Sequence, residues 1–275
     1  MKIDHGKIVL VTGAASGIGR SFALAAAKKG ARLIITDVNK EGLEKTAESI
    51  RGAGGAVLLA RDLDVADRGA VLALAADVLE KSGPVDVLAN VAGVALFAQV
   101  EDMSHSDWER VVNINLWGVI HMIEAFAPAM IKAGRGHVVN VSSLAGLMGV
   151  PWHLVYSATK FAVNGLSEVL RLDLKKHGVG VTLVCPGAVD TGLVETVKVI
   201  APESRVKRFK GSFRKIALSP DKVAGQMMTA VEKNRFLVLT SVDVHIAWFF
   251  KRHFPWLHYF AMRVVSRLMD NNLKS

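Results

Sequence analysis

Over the first 190 residues, short runs rich in Val, Ile and Leu alternate with longer stretches in which apolar side chains recur every three or four positions. The short runs predict strands at Ile8–Thr12, Arg32–Thr36, Ala56–Ala60, Val85–Asn90, His137–Val141, Val179–Val184 and, later, Phe236–Thr240. The longer stretches predict helices at Gly17–Lys29, Lys40–Arg51, Asp67–Lys81, Asp107–Lys132, Tyr156–His177 and Pro220–Asn234. Strands that alternate with helices of a dozen residues or more build a doubly wound parallel sheet covered on both faces, an α/β fold. No linker, repeat or low-complexity stretch interrupts the series. The pattern therefore predicts one domain over residues 1–243, with residues 244–275 as an extension of it.

Composition narrows the class. Hydrophobic residues make up 51% of the 275 and charged residues 21%, the balance of a packed globular chain. Cys185 is the only cysteine, which excludes a disulfide framework and a cysteine-rich metal module. The nine histidines form neither HxxxH nor HExxH, so solvated or core histidines are expected, and no metal. No apolar run reaches the roughly 18 residues of a spanning helix, and the opening MKIDHG is too short and polar for a signal peptide. A cytoplasmic protein is the expectation. The net charge of +9 is distributed unevenly, because residues 198–275 hold 15 basic and 5 acidic side chains while the preceding residues nearly balance. That segment has no zinc-finger, basic-zipper or RNP-like pattern, so a nucleic-acid partner is not expected.

The first predicted strand ends in Thr12-Gly13-Ala14-Ala15-Ser16-Gly17-Ile18-Gly19, and a helix opens directly after it. Glycines at 13, 17 and 19 allow a tight turn whose N–H groups approach a pyrophosphate at the positive end of that helix. Asp37 ends the second strand, where a carboxylate accepts hydrogen bonds from ribose hydroxyls and repels a 2′-phosphate; NAD is expected in preference to NADP. Arg20 and Lys40 lie near enough to weaken that preference.

Tyr156-Ser157-Ala158-Thr159-Lys160 places a phenol and an ammonium four residues apart on one helix face. A nearby ammonium is expected to lower the phenol pKa and make Tyr156 an acid or base near neutral pH. Ser143 follows the fifth predicted strand, where its hydroxyl can hold a substrate oxygen. Met148 and Trp152, between Ser143 and Tyr156, are candidates for the substrate pocket or the core.

From about residue 7 to 240 the chain resembles the short-chain dehydrogenase/reductase family, whose glycine loop matches Thr12, Gly13, Gly17 and Gly19 and whose YxxxK matches Tyr156 and Lys160. The resemblance implies a Rossmann-type fold and an alcohol–ketone or alcohol–aldehyde oxidoreductase using NAD(P). It implies catalysis by Ser143 (Ser142 being the less suited neighbour), Tyr156, Lys160 and Asn115, the last holding a helix kink. It further implies cofactor contacts from Ser16 and Ile18, from Asp62 and Leu63, and from Asn90, Ala92 and Gly93. In the last group the family's NNAG reads Asn90-Val91-Ala92-Gly93, a departure at its second position. Pro186, Gly187, Val189 and Thr191 are implied on the nicotinamide side. A homodimer or homotetramer built on Asp107–Lys132 and Tyr156–His177 is implied as well. Two alternatives share the fold: a nucleotide-sensing or scaffold protein without turnover, and a dehydratase or epimerase.

Residues 198–275 leave the family's common pattern. Arg205 to Lys210, with Arg214 and Lys215, fall in the expected substrate loop of about 188–218 and place cations at the pocket mouth. Val244–Leu268 holds Trp248, Phe249, Phe250, Phe254, Trp256, Tyr259 and Phe260 among Lys251, Arg252, Arg263 and Arg267, divided by Pro255 into pieces too short to span a bilayer. A helical extension serving as a pocket lid, a subunit contact or a peripheral membrane surface is expected, and with it a lipophilic substrate.

Overall fold

Ile8 to Thr12 are buried at every position, which only a strand covered on both faces can accommodate. The protein, described from a computed structural model at residues 1–191, 197–206, 211 and 217–273, is built around that strand. In chain order the elements are β1 (Ile8–Thr12), α1 (Gly17–Lys28), β2 (Arg32–Asp37), α2 (Lys40–Gly52), β3 (Ala56–Asp62), α3 (Arg68–Ser82) and β4 (Val87–Asn90). There follow β5 (Leu96–Phe97), α4 (His105–Val112), α5 (Gly118–Ala133), β6 (Gly136–Val141), α6 (Leu154–Lys175) and β7 (Val179–Cys185). Then come β8 (Lys198–Val199), α7 (Pro220–Glu232), β9 (Leu237–Leu239), α8 (Val242–His253) and α9 (Pro255–Leu273).

Seven strands form one sheet in the order β3-β2-β1-β4-β6-β7-β9, and every pairing in it is parallel. β1 lies inside the sheet, with Val9 opposite Leu33 on one side and Val87 on the other. Its side chains alternate between two cores, as the strand period requires. Val9 and Val11 join Phe22 of α1, Leu43 and Ile50 of α2 and Met227 of α7. Ile8 and Leu10 join Leu74 of α3, Phe126 of α5 and Leu174 of α6. Each of these large buried side chains contributes about 2 kcal/mol through the apolar area it removes from water. Since β2 and β4 leave β1 in opposite directions, the chain reverses its winding there and opens a crevice at the carboxyl ends of the strands.

The helix predicted at Asp107–Lys132 runs from His105 to Ala133, but its middle, Asn113–Trp117, is a π turn. The extra residue of that turn lets Asn115 reach the main chain of Val94. By length and composition alone this 29-residue helix is apolar enough to cross a membrane, although 44% of its most apolar window is buried inside the fold. Unanticipated is a second sheet of β5 and β8, which pairs Leu96 with Lys198 and Phe97 with Val199. The C-terminal segment divides at Pro255 as predicted, and each of its helices has a buried anchor, Val244 in α8 and Leu273 in α9.

Candidate active site and cofactor cleft

The glycine loop is held by main-chain proximity. A Cβ on Gly19 would lie 2.1 Å from the carbonyl oxygen of Gly13, and one on Gly13 (φ +69°) would lie 2.8 Å from the amide nitrogen of Ala92. Neither position has room for a side chain, and Gly13 also adopts a conformation that favours glycine. Thr12 at the end of β1 braces the opposite wall, its hydroxyl accepting from the amides of Val91 and Ala92 at 3.0 and 3.1 Å. α1 begins at Gly17 with no acidic residue in its first turn and no hydrogen bond from the Ser16 side chain to cap it. The positive end of the helix, with the amides of Ser16 to Gly19, is left to an anion. That cradle suits the pyrophosphate of a dinucleotide.

Asp37 and Asp62 end adjacent strands in register, so two carboxylates lie side by side at the adenosine end of the crevice. Asp37 already accepts from the amides of Ala15 and Asn39, each at 2.9 Å, and thereby fixes the loop. Leu63 itself is buried, and its amide donates to the carbonyl of Asp37 at 3.0 Å. Arg20 and Lys40 are exposed nearby. Asn90 donates to Asn140 at 2.9 Å and Asn140 to Ser167 at 2.9 Å, a buried polar chain tying β4 and β6 to α6.

Ser143, Tyr156, Lys160 and Asn115 converge where β6 and α6 meet the π turn. The Ser143 hydroxyl stands near enough to Tyr156 to favour its ionised form, and it accepts from the amide of Ala145 at 3.1 Å. Lys160 is almost fully buried; its ammonium donates to the carbonyl of Val141 at 3.0 Å and lies 5.6 Å from the centroid of the Tyr156 ring. Asn115 accepts from the amide of Val94 at 2.8 Å, donates to its carbonyl at 2.9 Å, and also donates to Thr159 on α6 at 3.3 Å. Gly93 leaves space beside this group, for a Cβ there would lie 3.1 Å from the Asn115 carboxamide oxygen and 3.5 Å from the Lys160 nitrogen. Ser142 turns elsewhere and donates to the carbonyl of Lys160 at 3.0 Å.

The electrostatics correct one expectation. Burial holds the Tyr156 phenol above its ordinary value, against the opposing hydrogen bond from Ser143, whereas the sequence predicts a lowered one. Loss of water around the phenolate is the largest cause, and burial has brought the neighbouring Lys160 ammonium itself down to about 8. The same burial pushes the Cys185 thiol beneath the site up to about 12, which keeps it an inert thiol.

Beyond the end of β7 the carbonyl of Pro186 accepts from the amide of Leu144 at 2.7 Å. Val189 is buried and bridges to Leu218, and Thr191 lies against Gly17, where a Cβ would meet its side chain at 2.8 Å. A Cβ on Gly187 would lie 3.0 Å from Val244 of α8. Gly13, Asp37, Asp62, Asn90, Ser143 and Pro186 thus stand at or just beyond the carboxyl ends of β1, β2, β3, β4, β6 and β7.

The wall above Tyr156 comes from far away in sequence. Tyr156 packs against a buried cluster of Ala95, Phe97 and Val197, against which Val199 and Met269 of α9 also pack. Beside Met269, Asp270 accepts from the Trp152 indole at 2.9 Å and from the Gln99 amide at 2.5 Å, while Arg205 donates to the carbonyl of Asn271 at 2.8 Å. Trp152 is buried with φ +66°, a strained conformation for a non-glycine residue. His153 stacks edge-on against Phe97 at 3.8 Å, and burial brings its imidazole down to about 4. Sequence reasoning singled out Trp152 but missed Gln99, His153, Met269 and Asp270; the remaining signal, an acidic residue in a basic segment, is too common to stand out. Lys207, Arg208, Phe209, Lys210, Arg214 and Lys215 lie outside the described residues.

Comparison with known proteins agrees with this geometry. Residues 7–199 match the short chain dehydrogenase family. SadH of Mycobacterium tuberculosis, an oxidoreductase by name, is 39% identical over 246 residues, covering 88% of this chain and 89% of SadH. The 3-oxoacyl-[acyl-carrier-protein] reductase FabG of Thermotoga maritima is 36% identical over 224 residues, 80% of this chain and 88% of its own length. Among solved structures, a short-chain dehydrogenase/reductase from Burkholderia phymatum in complex with NAD superposes with a TM-score of 0.85 at 33% identity, covering 94% of this chain and 96% of that one. A chain with this sheet, this glycine cradle and these relatives belongs to the short-chain dehydrogenase/reductase family of oxidoreductases.

Proposed function

We propose that the protein uses NAD to interconvert a secondary alcohol and a ketone, or an alcohol and an aldehyde, on a lipophilic substrate. The observation that carries the reading is the convergence of Tyr156, Ser143, Lys160 and Asn115 beneath an apolar wall of Phe97, Val197 and Met269. In this reading the Tyr156 hydroxyl exchanges the proton with the substrate oxygen, and Ser143 hydrogen-bonds that same oxygen as its charge develops. Lys160 holds the ribose beside the Tyr156 ring, and Asn115 keeps the π turn open for the proton's exit. NAD supplies or accepts the hydride. Asp37 favours NAD, since a carboxylate facing a 2′-phosphate is repelled. FabG, named as a 3-oxoacyl reductase, acts on a ketone of the same class.

Residues 1–243 are read as one catalytic domain, with 244–275 as its closing extension. Trp117, Leu154, Phe161, Val169 and Leu172 are exposed on α6 and beside α5, which supports a homo-oligomer built on that helix pair; light scattering that reports a monomer at micromolar concentration would refute it. The catalytic reading is tested by Tyr156→Phe. Turnover of a medium-chain secondary alcohol with NAD is expected to fall by at least about a thousandfold, with the cofactor still bound, and activity within a few-fold of wild type would sink the assignment.

A further inference from the structure

The outward sides of α8 and α9 form a second exposed apolar surface, richer in rings than the α5–α6 face. Along α8, Val242, Ile246 and Phe249 follow one stripe with Phe250 and Phe254 beside it; along α9, Trp256, Phe260, Arg263 and Arg267 share one face, flanked by Tyr259 and Val264. Trp256 is 71% exposed and Tyr259 68%. Soluble monomers seldom leave so many adjacent rings in water without a use for them.

Charge identifies the occupant. Arg252, Arg263 and Arg267 stand exposed among the rings, and the only acidic residues of the two helices are Asp243 and the inward-turned Asp270. Rings capable of lying at headgroup depth, rimmed by cations, complement a surface that is anionic above and hydrocarbon below. A second copy of this chain fits less well, since a two-fold contact would set these arginines against one another. The inward side of α9 supplies Met269 to the wall of the Tyr156 cleft. An apolar cavity of about 280 Å³ opens between α8, α9 and Met148, which belongs to the segment joining Ser143 to Tyr156.

We propose that the α8–α9 pair docks on anionic bilayers, with Trp256 and Phe260 at headgroup depth and Arg263 and Arg267 on lipid phosphates, so that the substrate enters the cleft from the membrane. The docking stands on the surface alone; the entry route rests on the lipophilic substrate proposed above. Sedimentation of the full chain with phosphatidylcholine vesicles, with and without phosphatidylglycerol, tests it, using substitutions instead of truncation because α9 also walls the cleft. Pelleting is expected with the anionic vesicles at low ionic strength, and to weaken with added salt. In Arg263→Glu/Arg267→Glu and in Trp256→Ser/Phe260→Ser it is expected to weaken about tenfold or more, with NADH binding unchanged in both. No pelleting of the wild type, or undiminished pelleting of both variants, overturns the proposal. So does a larger mass by light scattering for the wild type than for Trp256→Ser/Phe260→Ser without pelleting, which would give the surface to a second copy. Tyr156→Phe is expected to pellet like the wild type, which separates failure of docking from failure of the catalytic reading.

Discussion

The two ends of the crevice are made of different material. At the β1–β2 end the site is main chain: three glycines, the Thr12 brace and the open first turn of α1. At the β6–α6 end it is side chain, four polar groups roofed by Met269 and latched by Asp270 from a helix 118 residues beyond Trp152. A main-chain site tolerates no added atom and serves one constant ligand. A side-chain site can be re-lined without disturbing its supports, and so can follow the substrate.

The sharpest way to break this contrast is Gly19→Ala. Its methyl would lie 2.1 Å from the Gly13 oxygen, and both atoms belong to rigid main chain. We expect dinucleotide binding, followed by NADH fluorescence, to fall at least about a hundredfold, and stability to drop by roughly 3 kcal/mol; near-normal binding would show the loop to be softer than the contrast requires.

Lys160 is next in size. The folded chain holds it at about 8 against 10.5 for the free side chain. Between those values the unfolded chain keeps a proton that the folded chain has lost, so this group makes stability rise with pH through the window and weighs fully against folding below it. The gap corresponds to about 3 kcal/mol. Thermal midpoints of the cofactor-free protein between pH 7 and 10.5 are expected to climb relative to those of Lys160→Met; parallel curves would mean that the ammonium is better solvated than its burial implies.

Asp270→Ala separates the ends directly. It leaves the Trp152 indole and the Gln99 amide without their acceptor, and about 1–2 kcal/mol of lost latch should raise KM for a bulky alcohol about tenfold while NAD affinity stays constant. An equal loss of NAD affinity would mean that the two ends act as one unit. The smallest effect is expected from Asp37→Ala, which should narrow the preference of NADH over NADPH by about tenfold, read as a ratio of dissociation constants. Tighter NADPH binding by the wild type would instead make Arg20 and Lys40 decisive.

The same contrast explains what could be read from sequence. Buried parallel strands need apolar runs and the cradle needs glycines, so β1 to β4, β6, β7 and the Gly13–Gly19 loop announce themselves within a few residues of chain. Asn115 is visible as a residue, yet the π turn it supports is not, because the helix keeps its apolar spacing through it. Phe97 and Val199 pair across two-residue strands too short to carry any period. The Asp270 latch joins loop and helix over a separation at which local pattern holds no information. The raised Tyr156 phenol escapes the sequence for a related reason: adjacency in sequence shows the lysine, and only the folded interior shows how little water reaches both.

The all-parallel sheet also governs how the molecule must assemble. No two of its strands are joined by a hairpin, so each pairing waits for a whole crossover to close. The longest wait falls at the centre, where the amide of Ile8 meets the carboxylate of Asp86, 78 residues later. During synthesis the open edge of β1 stays unpaired until that stretch has emerged, and an unpaired apolar edge is the surface from which chains aggregate. Slow refolding and better recovery from cool, dilute expression follow from strand order alone.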